Sequence, residues 1–156
     1  MAISITLKEY LDEKGVDYEL VKHPYTYSSM DTAASAHVPG AKLAKSVVLE
    51  DSKGFLMAVV PTTHHVEIDQ LAYQLNRPLE LATEHELSEL FTDCDVGAIP
   101  PIGEAYGMEM LVDESLTQSS DVYFEAGDHT CLVHVSGDDF KELMSNAEIG
   151  AISRHT

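Results

Sequence analysis

Two apolar runs in tandem, residues 45–50 (KSVVLE) and 55–61 (FLMAVVP), constrain the fold more than any other stretch. Between them lies Asp51-Ser52-Lys53-Gly54, a polar turn ending in glycine, so the pair reads as a β-hairpin. Taking the first strand back to residue 43 puts Leu43, Lys45, Val47 and Leu49 on one face and Ala44, Ser46, Val48 and Glu50 on the other. Lys45 therefore shares its face with the larger apolar residues. Two readings stand on pattern alone. Its stem packs while its head reaches water, as lysines at strand starts usually do. Or the ammonium points into a pocket, where it binds a carbonyl or phosphate oxygen and burial lowers its pKa.

The rest of the chain supplies helices between strands. Residues 4–15 read as a short helix capped by Ser4 or Thr6 and stopped by Gly15. Residues 16–23 read as a strand ended by Pro24, and residues 28–38 as a helix closed by Pro39-Gly40. Ile68, Leu71, Ala72 and Leu75 fall at helical spacing, and residues 79–82 form a short strand. Thr83 and Glu86 then form a capping box. Residues 108–113, 121–127 and 130–136 are three further strands, and Ser136 or Asp138 caps a last helix through about residue 144. This order is α+β, or mixed α/β, without the regular alternation of a doubly wound sheet.

At 156 residues, with no repeat or linker, residues 1–156 read as a single domain able to bury a core. No apolar stretch approaches the roughly 18 residues needed to span a bilayer, and the charged N-terminus has no signal core. With two cysteines lacking CxxC spacing, the chain reads as cytoplasmic. Net charge is −18, unevenly spread: six lysines face eight acids in residues 1–53, and three basic residues face nineteen acids after them. That balance speaks against gripping a long polyanion such as DNA, and confines any nucleic-acid contact to a small patch in the N-terminal third.

Besides Lys45, three places could carry chemistry. The loop 95–107 (DVGAIPPIGEAYG) holds Gly97, Gly103, Gly107 and Pro100-Pro101. It is either a plain connection or a stiff loop whose backbone approaches a ligand. His129 follows Gly127 at the mouth of a strand, and a lone histidine there is either structural or a proton handler. Adjacent His64 and His65 point to opposite faces of a strand, HExxH spacing is absent, and His129 with Cys131 has no second pair, so no metal is expected. No phosphate-binding glycine fingerprint or nucleophile elbow is present, and no cofactor is expected.

Four segments, GVDYELVKHP, LAKSVVLED, VGAIPPIG and VYFEAGDH, come in an order and at spacings that resemble the YbaK/prolyl-tRNA-synthetase-associated domain family. That resemblance spans nearly the whole chain. It implies a compact mixed fold around a twisted, largely antiparallel sheet, and hydrolysis of the ester joining a wrong amino acid, such as Ala, Cys or Ser, to a tRNA 3′ end. It implies that Lys45 matches the family's essential lysine and that Ser46 occupies the position that helps set specificity. The family's GxxxP loop maps onto Gly97, Ala98, Ile99, Pro100 and Pro101, and its Gly-x-His element onto Gly127 and His129. Two departures stand out: many members have Gly-Gly where this chain has Gly97-Ala98, and Pro100 is a second proline. The partners implied are the aminoacyl-tRNA acceptor end, contacted weakly through Lys42 and Lys22, and an aminoacyl-tRNA synthetase that delivers the substrate. A non-catalytic module binding a small ligand or a synthetase is the alternative.

Overall fold

The computed structural model describes residues 3–26 and 28–156. Helix α1 (Ile5–Lys14) starts where the Ser4 side chain accepts from Leu7 N and ends at Gly15 in the left-handed region. Strand β1 (Glu19–Lys22) is shorter than its sequence span, and α2 (Ser29–Ser35) stops early because His37 takes a left-handed conformation two residues before Pro39. A 3-10 turn (Gly40–Lys42) leads into the hairpin of β2 (Leu43–Asp51) and β3 (Gly54–Pro61). Then come β4 (His64–Val66), α3 (Ile68–Leu75), β5 (Glu80–Leu81) and α4 (Glu84–Leu90), the last opened by the Thr83/Glu86 capping box. The glycine- and proline-rich loop contains a second 3-10 turn (Gly103–Tyr106) and precedes β6 (Glu109–Asp113) and the single turn α5 (Glu114–Thr117). Strands β7 (Asp121–Glu125) and β8 (Cys131–Ser136), helix α6 (Gly137–Leu143) capped by Ser136, and β9 (Glu148–Gly150) and β10 (Ser153–His155) complete the chain.

The main sheet is mixed, in the order β1-β8-β7-β2-β3-β6-β9, with β5 added to β2. Antiparallel pairs predominate, but β7–β2, β3–β6 and β6–β9 run parallel. The two faces of β2 enter different apolar clusters. Ala44 and Val48 join the largest, with Leu7, Met57, Val59, Phe124 and Phe140. On the other face, Leu43 packs with Ala33, Val38 and Leu132, whereas Val47 and Leu49 pack with Leu56, Leu71 and Ile152. Lys45 falls at the seam between those last two clusters.

The same strand also changes neighbour along one edge. It pairs with β3 over its whole length, from Ala44↔Pro61 to Asp51↔Gly54. On its other edge it pairs with β7 only at Leu43 and Ala44, and with β5 only at Leu49 and Glu50. Between these contacts the strands part. The sheet has a notch beside residues 45–47, and the candidate site lies in it.

Candidate active site

A cavity of about 330 Å³ fills the notch, lined by Lys45 and Ser46 of β2, Ser28-Ser29 ahead of α2, Glu84 and Leu87 of α4, Val96, Gly97 and Ile99 of the loop, and Glu125 at the end of β7. The half-buried side chain of Lys45 makes no hydrogen bond or ion pair with any described residue. Burial holds its ammonium below the ordinary lysine range. An unpaired cation at the wall of a partly enclosed cavity is what the pocket reading of this lysine requires.

Ser46 points to the opposite face and donates from Oγ to the Ile99 carbonyl at 2.9 Å, tying β2 to the loop. Gly97 sits at φ +95°, and a Cβ there would come within 3.2 Å of His129 Cε1, so glycine is needed twice over. Ala98, Pro100 and Pro101 are buried behind the wall rather than on it. Ala98 donates its N–H to Asp95 O at 3.0 Å and the prolines have none, which leaves the N–H groups of Gly97 and Ile99 without a protein partner among the described residues. With the Val96 amide, which likewise has no partner among the described residues, those two are the donors this stretch of the loop can offer the cavity.

His129 and Gly127 brace the loop from outside the cavity. The buried His129 ring donates from Nε2 to Val96 O at 3.3 Å and lies 4.9 Å from the Tyr25 ring. Gly127, at φ +120°, packs on Ser4, and its carbonyl accepts from Asp95 N at 2.7 Å. Neither lines the Lys45 cavity.

The expected tRNA-facing lysines differ in availability. Lys42 is held by Asp121 at 2.5 Å, and Asp121 in turn binds His134, so its charge is largely spent within the fold. Lys22 is exposed at the end of β1. Lys53 lies in the hairpin turn, some 20 Å or more along the strand from Lys45.

Two larger grooves are chemically less open. One, about 560 Å³ and lined by Lys53, Phe55 and Arg77, has its guanidinium bound by both Asp51 and Glu109. The other, about 650 Å³, has His134 locked between Glu19 and Asp121. The Lys45 cavity is smaller, yet it holds polar groups that are not already satisfied.

The model of the aminoacyl-tRNA editing domain matches residues 23–143, most of the chain. The chain belongs to that family. A proline–tRNA ligase of Thermosipho africanus (strain TCF52B) is 31% identical over 93 residues, 59% of this chain and 16% of the ligase, so the editing domain here corresponds to a small part of that protein. Two solved structures share the fold. A candidate trans-editing enzyme for prolyl-tRNA synthetase superposes with a TM-score of 0.83 at 20% identity, covering 96% of this chain and 95% of that one. A scaffold used for computational epitope grafting gives 0.85 at 19% identity, covering 97% of each.

Ser28, Ser29, Glu84, Leu87 and Glu125 of this editing domain also form the wall, and no motif in the sequence marks them for it. Glu125 lies within VYFEAGDH, but nothing local marks a glutamate at a strand end as buried. Its burial comes from α2 and β1, roughly a hundred residues earlier in the chain.

Proposed function

We propose that this editing domain hydrolyses the ester of mischarged aminoacyl-tRNA carrying a small amino acid such as Ala, Cys or Ser. The observation that carries the reading is the unpaired, partly desolvated Lys45 ammonium at the wall of a partly enclosed cavity, in a chain of the aminoacyl-tRNA editing family.

The ester is an activated bond, so orientation and stabilisation of the developing oxyanion suffice. Lys45 contacts the ester carbonyl and stabilises its negative charge in the transition state. The free N–H groups of Gly97 and Ile99 add hydrogen bonds, and Ser46 fixes their position through Ile99. His129 keeps the loop at its height by supporting Val96 and Gly97. The nucleophile is a water, whose attack releases the amino acid as its carboxylate and leaves the ester oxygen as a ribose hydroxyl; the neighbouring ribose hydroxyl can only orient that water. No cofactor enters this scheme.

A net charge of −18 leaves little for tRNA to hold beyond its acceptor end. Lys22 and Lys45 are the nearby cations not engaged by a carboxylate, and Lys42 would have to leave Asp121 to join them. Delivery by a synthetase, of which prolyl-tRNA synthetase is the natural candidate, relaxes the need for intrinsic affinity.

The test is hydrolysis of a panel of tRNAs charged with Ala, Cys, Ser and their cognate amino acids. Release of at least one mischarged small amino acid, with cognate charges spared, is the expected outcome. No turnover on any of them would overturn the assignment.

A further inference from the structure

A buried carboxyl shares the cavity with Lys45 and is not used in the scheme above. In the parallel pair of β2 and β7, Leu43 faces Tyr123 and Ala44 faces Phe124, and the strands then part. Lys45 and Glu125 are the next residue on each strand. Alternation places both on the face that α2 covers, where Leu43 packs with Ala33. Opposite charges in adjacent positions would normally pair, yet Lys45 makes no ion pair with any described residue.

Glu125 is 8% exposed, and its Oε2 has no hydrogen-bond partner. Buried polar atoms are satisfied in the great majority of cases, so the exception calls for a cause. The neighbouring donors are all committed elsewhere. His23 must donate from Nδ1 to the Pro24 carbonyl at 2.8 Å, because a carbonyl can only accept. In the neutral ring this leaves Nε2, 3.8 Å from Glu125 Oε1, without a proton to give. The Thr32 hydroxyl donates to Ser28 O at 3.0 Å, and the Thr26 hydroxyl lies 2.5 Å from Thr32 Oγ1. Among the described residues only the Thr32 hydroxyl reaches towards this carboxyl, and it already donates to Ser28 O, so the fold has built a carboxyl-sized acceptor site against the cavity and left it short of donors.

We propose that Glu125 is the substrate-binding residue that receives the α-ammonium group of the aminoacyl moiety. An ammonium carries three N–H donors and a positive charge, and it supplies what the cluster of His23, Thr26, Thr32 and Glu125 lacks. Lys45 and Glu125 then divide the substrate between them, one taking the ester carbonyl and the other the amine. This rests on the deacylase reading of the same cavity, but it fails separately from it. Burial pushes the Glu125 carboxyl up to about 8. The groups facing it are His23 from the end of β1, the Thr32 hydroxyl from α2, whose hydrogen bond lowers it, and Asp128 from its own following turn, whose charge raises it, while Lys45 of β2 and Glu84 of α4 share the cavity. In the free protein at pH 7 the carboxyl is mostly protonated, so binding an ammonium expels that proton.

The experiment is calorimetric binding of a non-hydrolysable analogue, 3′-deoxy-3′-alanylamino-adenosine, against its counterpart without the α-amine. Wild-type protein is expected to favour the amine-bearing analogue by about 10-fold or more. That preference should grow from pH 6 to pH 8 and fall above it as the amine loses its proton. Glu125→Gln, confirmed as folded by its thermal transition, should bind both analogues alike with no such pH dependence. Equal binding of the two by wild type would overturn the assignment of Glu125 and leave the deacylase reading standing, and so would a preference that survives Glu125→Gln. Binding of neither analogue, together with no turnover of the tRNA panel, would overturn both.

Discussion

Lys45→Ala is expected to slow single-turnover deacylation by about 100- to 1,000-fold, as removal of one oxyanion donor typically does. The corresponding ~3–4 kcal/mol is large because the ammonium acts where water is partly excluded and no counter-ion dilutes its charge. The Lys45 side chain makes no hydrogen bond or ion pair with any described residue, so its loss should barely move the thermal midpoint. That separation of activity from stability is what distinguishes a catalytic lysine from a packing one. Lys45→Arg should fail to restore the rate, because a planar fork does not replace a compact ammonium in a small cavity. A loss of less than about tenfold for Lys45→Ala, some 1.4 kcal/mol, would remove Lys45 from the chemistry.

The second large effect concerns the frame. Phe124→Ala should destabilise the protein by about 3–5 kcal/mol, because a fully buried ring leaves a cavity that its neighbours only partly refill. For a chain of this length the thermal midpoint should fall by about 10 °C, read by calorimetry or circular dichroism. Phe124 lies opposite Ala44, at the last paired position before β2 and β7 part. Loosening it should therefore reduce activity below the new midpoint as well as stability, whereas Phe140→Ala, in the same core cluster but on α6, should cost stability alone at that temperature.

The features legible in the sequence are those that depend on near neighbours. The hairpin, the Ser4 cap, the Thr83/Glu86 box and the charge on the apolar face of β2 each follow from residues within a few positions. The notch does not. It arises because β7, some eighty residues downstream, pairs with β2 for only two residues before β5 takes over the same edge. The Lys42–Asp121 bridge is likewise non-local, and it spends a lysine that sequence alone leaves free for tRNA. The bracing roles of Gly127 and His129 depend on where the N-terminus and the loop fold back against them. Strands β4, β9 and β10 have three residues each, too few for a period of two to register. Glu125 is the sharpest case: its neighbours in sequence give no hint that α2 will cover it.

The central claim is that the notch beside β2 holds the aminoacyl ester, and the most direct measurement is a crystal structure with 3′-deoxy-3′-alanylamino-adenosine bound. The account predicts the analogue's carbonyl oxygen within hydrogen-bond distance of Lys45 Nζ, with the Gly97 and Ile99 amides close to it. An analogue seated instead in the groove of Lys53, Phe55 and Arg77, or bound with Lys45 turned away from its carbonyl, would contradict it.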